Sequence, residues 1–161
     1  MSKPWINEHA IEYAKRQGFT LDLTRKLGFG TDGIVWRSNR NTAIKAFERP
    51  ATYRTEKRCY QRLQERRVTE ILGFAVPQLE GFDDELLIVE MTIVFPPFLL
   101  DFGKAYINKR PDYSEEVMAE DEEFRQELFE SDWPTVERLL SRLESMGIHY
   151  VDARPGNITF R

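Results

Sequence analysis

The chain has 161 residues, 41% hydrophobic and 31% charged, with a single cysteine. That composition suits one soluble domain with a true core and excludes a low-complexity or disulfide-built one. The formal charge of −4 argues against non-specific nucleic-acid binding by the chain as a whole.

Cys59 has no intrachain disulfide partner, and no cysteine spacing suits zinc. A reducing, cytoplasmic location is the simplest expectation. Residues 1–15 carry no apolar secretory region. The most apolar stretch, 86–100, is interrupted by Glu90, broken by Pro96 and Pro97, and too short to span a bilayer as a helix. Neither secretion nor membrane insertion is expected.

In chain order, 6–17 reads as a helix stopped by Gly18. Residues 19–27 alternate apolar and polar positions as a strand does. A glycine-rich turn comes next, then a returning strand over 34–37, a turn at Asn39 and Asn41, and a third strand over 42–47. Residues 52–68 carry a helical pattern with Tyr60 and Leu63 on one face, and 86–91 form the clearest buried strand. Pro96 and Pro97 mark a connector. The acidic stretch 114–130 reads as a solvated helix. Asp132 is placed to cap the next helix, with Pro134 in its first turn. Val136, Leu139, Leu140, Leu143 and Met146 give that helix one apolar stripe, Gly147 stops it, and 157–160 form a last short strand. A strand-rich first half followed by a helical second half predicts an α+β fold with two small lobes joined near 91–98.

Gly28-Phe29-Gly30-Thr31-Asp32-Gly33 has G-x-G-x-x-G spacing, a weak signal by itself. The next residues, Ile34-Val35-Trp36-Arg37, read as a strand and not as the helix of a dinucleotide-binding unit. A glycine-rich hairpin covering phosphates fits better, because glycine lets the backbone approach phosphate oxygens closely. Lys45, in Ala43-Ile44-Lys45 on the succeeding strand, sits between apolar neighbours. A buried ammonium there needs an anion. Nucleotide phosphates and a helix carboxylate are the natural partners. Glu56, opening Glu56-x-x-x-Tyr60-x-x-Leu63, is the chosen carboxylate, with Glu65 and Glu70 as alternatives.

Near the end stands Gly147-Ile148-His149-Tyr150-Val151-Asp152-Ala153-Arg154-Pro155-Gly156-Asn157-Ile158. With the glycine loop and the lysine before it, in that order, this segment resembles the catalytic loop of protein kinases. Similar sequences occur in the small-molecule kinases related to aminoglycoside phosphotransferases. The resemblance runs over roughly residues 21–160. It implies a protein-kinase-like two-lobed fold: an antiparallel N-lobe over 19–91, a hinge over 92–98, and an abbreviated helical C-lobe over 99–161.

The resemblance also implies roles. Gly28, Gly30 and Gly33 would cover the phosphates of ATP, Lys45 would hold them, and Glu56 would position Lys45. The backbone from Glu90 to Thr92 would meet adenine. Asp152 would orient the acceptor hydroxyl, Arg154 would neutralise phosphate charge, and Asn157 would bind Mg2+.

Two features depart from the pattern. Tyr150 stands where the loop histidine is usual, leaving His149 a structural part. The Asp-Phe-Gly expected after the loop is missing before Arg161. Asp101-Phe102-Gly103 precedes the loop and is expected to be an ordinary turn or helix cap at the edge of the nucleotide cleft. A shortened kinase relative, a metal site completed by another carboxylate or a partner chain, and a fragment of a longer sequence all account for the missing segment.

The functional expectation is therefore a kinase-like ATP-binding protein moving the γ-phosphate to a hydroxyl of a protein or small molecule. The alternative is a pseudokinase acting as a protein-binding module, in which the acidic run of Glu115, Glu116, Glu120, Asp121, Glu122 and Glu123 could meet a basic partner. A basic helix face of Lys57, Arg58, Arg62, Arg66 and Arg67 is offset by nearby carboxylates, so neither nucleic acid nor membrane is an expected partner.

Overall fold

The computed structural model describes residues 4–29 and 32–161, and the chain is mixed α+β. Helix α1 (Pro4–Arg16) precedes the strands β1 (Lys26–Phe29), β2 (Gly33–Arg37) and β3 (Thr42–Phe47). Helix α2 (Pro50–Glu65) leads to β4 (Glu70–Ile71), β5 (Phe74–Ala75), β6 (Leu79–Asp83) and β7 (Ile88–Thr92). The remainder comprises β8 (Phe98–Leu99), β9 (Tyr106–Ile107), α3 (Glu115–Phe129), a 3-10 turn (Glu130–Asp132), α4 (Trp133–Ser145), β10 (Ile148–His149) and β11 (Ile158–Thr159).

Five strands form one antiparallel sheet in the order β1-β2-β3-β7-β6. Period-two alternation sends the central side chains to opposite faces. Ile44 and Ala46 of β3 join Ile34, Trp36 and Ile88 under α1, whose Ile6, Ala10 and Tyr13 are buried there. Ala43 and Phe47 turn the other way, with Val89 and Met91, against Tyr53, Cys59, Tyr60 and Leu63 of α2. That second cluster continues without a break to Val136, Leu139 and Leu143 of α4 and to Ile148 and Ile158. One apolar core thus ties the sheet to the helical half.

The second half adds two small sheets. β9 pairs with β10, and a four-stranded sheet runs β11-β8-β5-β4. In the latter, Leu99 lies opposite Ile158 and Phe98 opposite Thr159, antiparallel. This pairing brings the chain before α3 beside the chain after residue 157.

Several local expectations change. Residues 19–25 form no strand. Phe19, Leu21 and Leu23 pack on the α1 side of the sheet, and the Leu23 carbonyl accepts from Trp36 Nε1 at 3.2 Å. Their alternation therefore reflects one-sided packing of an unpaired segment. Asp132 makes no capping hydrogen bond, because its φ of −84° and ψ of −9° already continue the 3-10 turn into α4. Ser114 does cap α3, its Oγ accepting from the Val117 N–H at 3.2 Å. Among the described residues, no helix is long and apolar enough to cross a membrane.

The continuity of the core can be tested by truncation at its far end. Leu143→Ala removes a side chain with no exposed surface and is expected to cost about 2–5 kcal/mol in urea unfolding. The exposed Phe124→Ser should stay within about 0.5 kcal/mol of the parent.

Candidate functional site

Lys45 lies in the middle of β3, flanked by β2 and β7, with its side chain 5% exposed. Its ammonium meets two carboxylates. It donates to Glu56 Oε1 at 3.0 Å, touching Oε2 at 3.0 Å as well, and to Asp101 Oδ1 at 2.9 Å. Burial alone would lower the ammonium's pKa. The two carboxylates outweigh it, so the net direction is upward and the lysine stays charged. Glu56 is held above the usual carboxylate range by burial, which Lys45 and the Phe102 N–H only partly offset.

The helix delivers Glu56 by its own periodicity. Tyr53, Glu56, Tyr60 and Leu63 are spaced to share one face, and all are buried. Glu56 Oε1 also accepts from the Phe102 N–H at 2.9 Å. One carboxylate therefore fixes both the lysine and the backbone of the Asp101-Phe102-Gly103 turn. Asp101 has a φ of +62°, a left-handed conformation that aspartate tolerates better than most residues. Phe102 is fully buried edge-to-face between Tyr60 and Tyr150.

The loop at 150–157 is fastened to this turn at several points. Tyr150 Oη donates to the Leu100 carbonyl. The Leu100 N–H donates to the Asn157 carbonyl at 2.8 Å. Asn157 Nδ2 donates to the Asp152 carbonyl at 2.8 Å, closing the loop on itself. As a result Asp101 and Asp152 wall the same cavity, of about 400 Å³, together with Lys45 and Arg154. Arg154 Nε lies 3.7 Å from Asp152 Oδ1, and the guanidinium is mostly exposed. Gly28 and Gly33 line the cavity from β1 and β2, and Val35, Ala43, Met91 and Leu100 give it an apolar portion. Gly33 has a φ of +148°, and a Cβ there would sit 1.9 Å from the Ala46 carbonyl oxygen, so the turn requires glycine.

Of the residues expected from sequence, Gly28, Gly33, Lys45, Asp152, Arg154 and Thr92 line one cavity, with Glu56 directly behind Lys45. Gly30 lies outside the described residues. Two of the expected residues, Glu90 and Asn157, do not line the cavity. Glu90 turns its side chain to the α1 face. There it accepts from Tyr13 Oη at 2.8 Å, Thr42 Oγ1 at 2.5 Å and Arg40 at 2.5 and 2.9 Å. Its backbone lies between Ile44 of β3 and Gly81 of β6, and the Thr92 N–H is taken by the Gln78 carbonyl at 2.9 Å. Backbone groups beyond the sheet begin at Ile93 and Val94, which line the cavity. Asn157 is buried behind the loop and is not among the cavity-lining residues.

Asp101 is the site residue that the sequence does not assign. Its position before the loop conceals it. The only signal in the sequence is the Asp-Phe-Gly triplet itself, and β8–β11 pairing is what carries it to the cavity.

No protein-family model matches the chain, and no curated protein matches it significantly.

The lysine's surroundings give a stability test. Lys45→Met leaves Glu56 buried without its counter-ion and should destabilise the protein by about 3–5 kcal/mol at neutral pH. In that variant the folded pKa of Glu56 exceeds its unfolded value, so folding takes up a proton and stability falls as pH rises. The penalty should therefore be smaller at roughly pH 5 than at roughly pH 8, by chemical denaturation.

Proposed function

We propose that this chain is a kinase-like ATP-binding protein, a minimal phosphotransferase of two-lobed kinase-like form with an N-lobe over 19–91, a hinge over 92–98 and a short C-lobe over 99–161. The observation that carries this reading is the one cavity shared by Lys45, Asp101, Asp152 and Arg154 with Gly28 and Gly33. Two cations suit the phosphates of a nucleotide, and two carboxylates suit a magnesium ion and an acceptor hydroxyl. The apolar portion suits a base, with the backbone of Ile93 and Val94 available to its edge.

No Asp-Phe-Gly stands between Asn157 and Arg161, which raises the question of a magnesium ligand. Asp101-Phe102-Gly103 answers it from an earlier point in the chain. The motif comes directly after strand β8, which pairs with the strand just after Asn157, so its neighbours in space are those the chemistry needs although the chain order differs.

In the proposed reaction the acceptor oxygen attacks the γ-phosphorus. The new O–P bond forms as the bond from the γ-phosphorus to the bridging oxygen breaks, and ADP leaves with that electron pair. Asp152 orients the hydroxyl and takes its proton. Lys45 and Arg154 offset charge on the phosphate oxygens. Asp101, with one oxygen on Lys45 and its side chain 36% exposed, offers the hard oxygen donor that magnesium prefers. Among the described residues no group of three or more metal-ligating side chains is present, so phosphate oxygens and water would complete the shell, as is usual for this ion. Bound there, magnesium would neutralise charge developing between the β- and γ-phosphates.

A second reading, a pseudokinase that binds nucleotide without turnover, draws support from Asn157, which is buried and does not line the cavity.

Thermal unfolding and γ-phosphate transfer separate the two. ATP with magnesium at about a hundred times its Kd should stabilise the parent by about 2.7 kcal/mol. Transfer is expected to a panel of polyols, amino alcohols and serine peptides. Asp152→Asn should retain the stabilisation and lower transfer by about a hundredfold or more. Asp101→Asn should remove the magnesium-dependent part of the stabilisation. Stabilisation without transfer would favour the pseudokinase, and no stabilisation at millimolar nucleotide would overturn both readings.

A further inference from the structure

A second cavity, of about 470 Å³, lies between α3, α4 and the 149–151 segment. It shares no lining residue with the first. Tyr150 and Val151 form part of its wall, so the loop that delivers Asp152 to the first cavity sets out from this one.

Its charge is one-sided. Five carboxylates line it: Glu115, Asp121 and Glu122 from α3, and Glu137 and Glu144 from α4. The two arginines present are occupied. Arg125 binds Asp121 at 3.1 Å and the Val151 carbonyl at 3.0 Å, and Arg110 lies 3.9 Å from Glu144. His149 Nδ1 is buried without a hydrogen bond, 3.8 Å from Glu144 Oε1.

The groove also has apolar surface. Met118, Trp133 and Leu140 line it, with Tyr113 at its mouth. On α3, Val117, Phe124 and Leu128 are also exposed, at spacings of seven and four residues, on a face about a third of a turn away from the one that lines the groove. The same helix holds seven carboxylates and one arginine among its 15 residues. A groove that sets apolar side chains among carboxylates is the complement of a basic amphipathic chain.

We propose that the α3–α4 groove docks a basic, amphipathic segment of a partner protein. Lysine or arginine heads would meet Glu115, Glu122 and Glu137, while their aliphatic stems lie on Met118, Trp133 and Leu140. Trp133 and Tyr113 add ring faces that attract cations. A small organic cation would satisfy the acids but leave Met118, Trp133 and Leu140 uncovered, so an occupant carrying apolar side chains beside its cations fits better. The groove's position places the partner against the root of the Asp152 loop. The docking does not depend on nucleotide binding, because no groove residue lines the first cavity.

The test uses the full chain without nucleotide and a fluorescent peptide of alternating lysine and leucine, followed by anisotropy. Saturable micromolar binding is expected. It should weaken as salt is raised and by about tenfold or more in the double variant Glu122→Lys, Glu137→Lys, both sites being exposed. The same peptide with glutamate for lysine should not bind. If circular dichroism shows the charge-reversed variant unfolded, Glu115→Lys with Met118→Ser, both at exposed groove positions, is read instead, with the same loss expected. Absence of saturable binding, or binding indifferent to both variants, would overturn the proposal. Displacement of the peptide by spermine at equal concentration would make this a small-cation site, and self-association abolished by the charge reversal would make it a contact between copies of the chain. Either result would also overturn it.

Discussion

An ammonium in the middle of a sheet is costly unless its charge is met, and here it is met twice. Lys45 holds Glu56 from α2 and Asp101 from the turn after β8. Strand β3, the helix that follows it and a turn 56 positions beyond Lys45 therefore converge on one nitrogen. Breaking either contact would leave a buried or half-buried carboxylate with too little compensation. The other features of the cavity depend on this convergence. Glu56 also holds the Phe102 N–H, Phe102 packs against Tyr150, and Tyr150 is bonded to Leu100. The position of Asp152 relative to Lys45 is thus set through packed, hydrogen-bonded neighbours.

The two faces of the sheet divide the work by the period-two rule. On the α1 face, Glu90 is 1% exposed and carries Tyr13, Thr42 and Arg40. Burial alone would raise its pKa, but these hydrogen bonds lower it below the ordinary carboxylate value. Arg40 is itself stacked over Phe19 at 4.1 Å. This network ties α1 and the 19–25 segment to the central strands. On the opposite face the same strands present Lys45 to the cavity. One face pairs a carboxylate with Arg40 beside α1, and the other pairs an ammonium with Glu56 and Asp101 at the cavity wall.

Much of this is legible in the sequence where a single element carries the information. The limits of β3, the helical stripes of α2 and α4, and the glycine turn all come from local pattern. What escapes depends on tertiary pairing. β4, β5 and β8 to β11 have two residues each, too short for any periodicity to register. β6 lies at the sheet edge, where half-buried and exposed positions alternate, but the half-buried ones are Leu79, Gly81 and Asp83 and Phe82 is exposed, so its sequence carries no apolar alternation. Asp101 escapes because motif order suggests an ordinary turn at the cleft edge, whereas the β8–β11 pairing brings it to the cavity beside Asp152. For Glu90, the kinase resemblance concerns the backbone alone. An acid inside an apolar strand calls for a partner across the face, and Arg40, fifty positions earlier in the chain, could not be chosen from spacing.

The central claim is that Lys45 and Asp101 are energetically coupled across the cavity. A double-mutant cycle in equilibrium unfolding, with Lys45→Met, Asp101→Asn and the pair, measures that coupling directly. The account predicts marked non-additivity, an interaction energy above about 0.5 kcal/mol with the double variant less destabilised than the sum of the singles. Additive effects would mean that the two side chains do not sense one another, and would contradict the account.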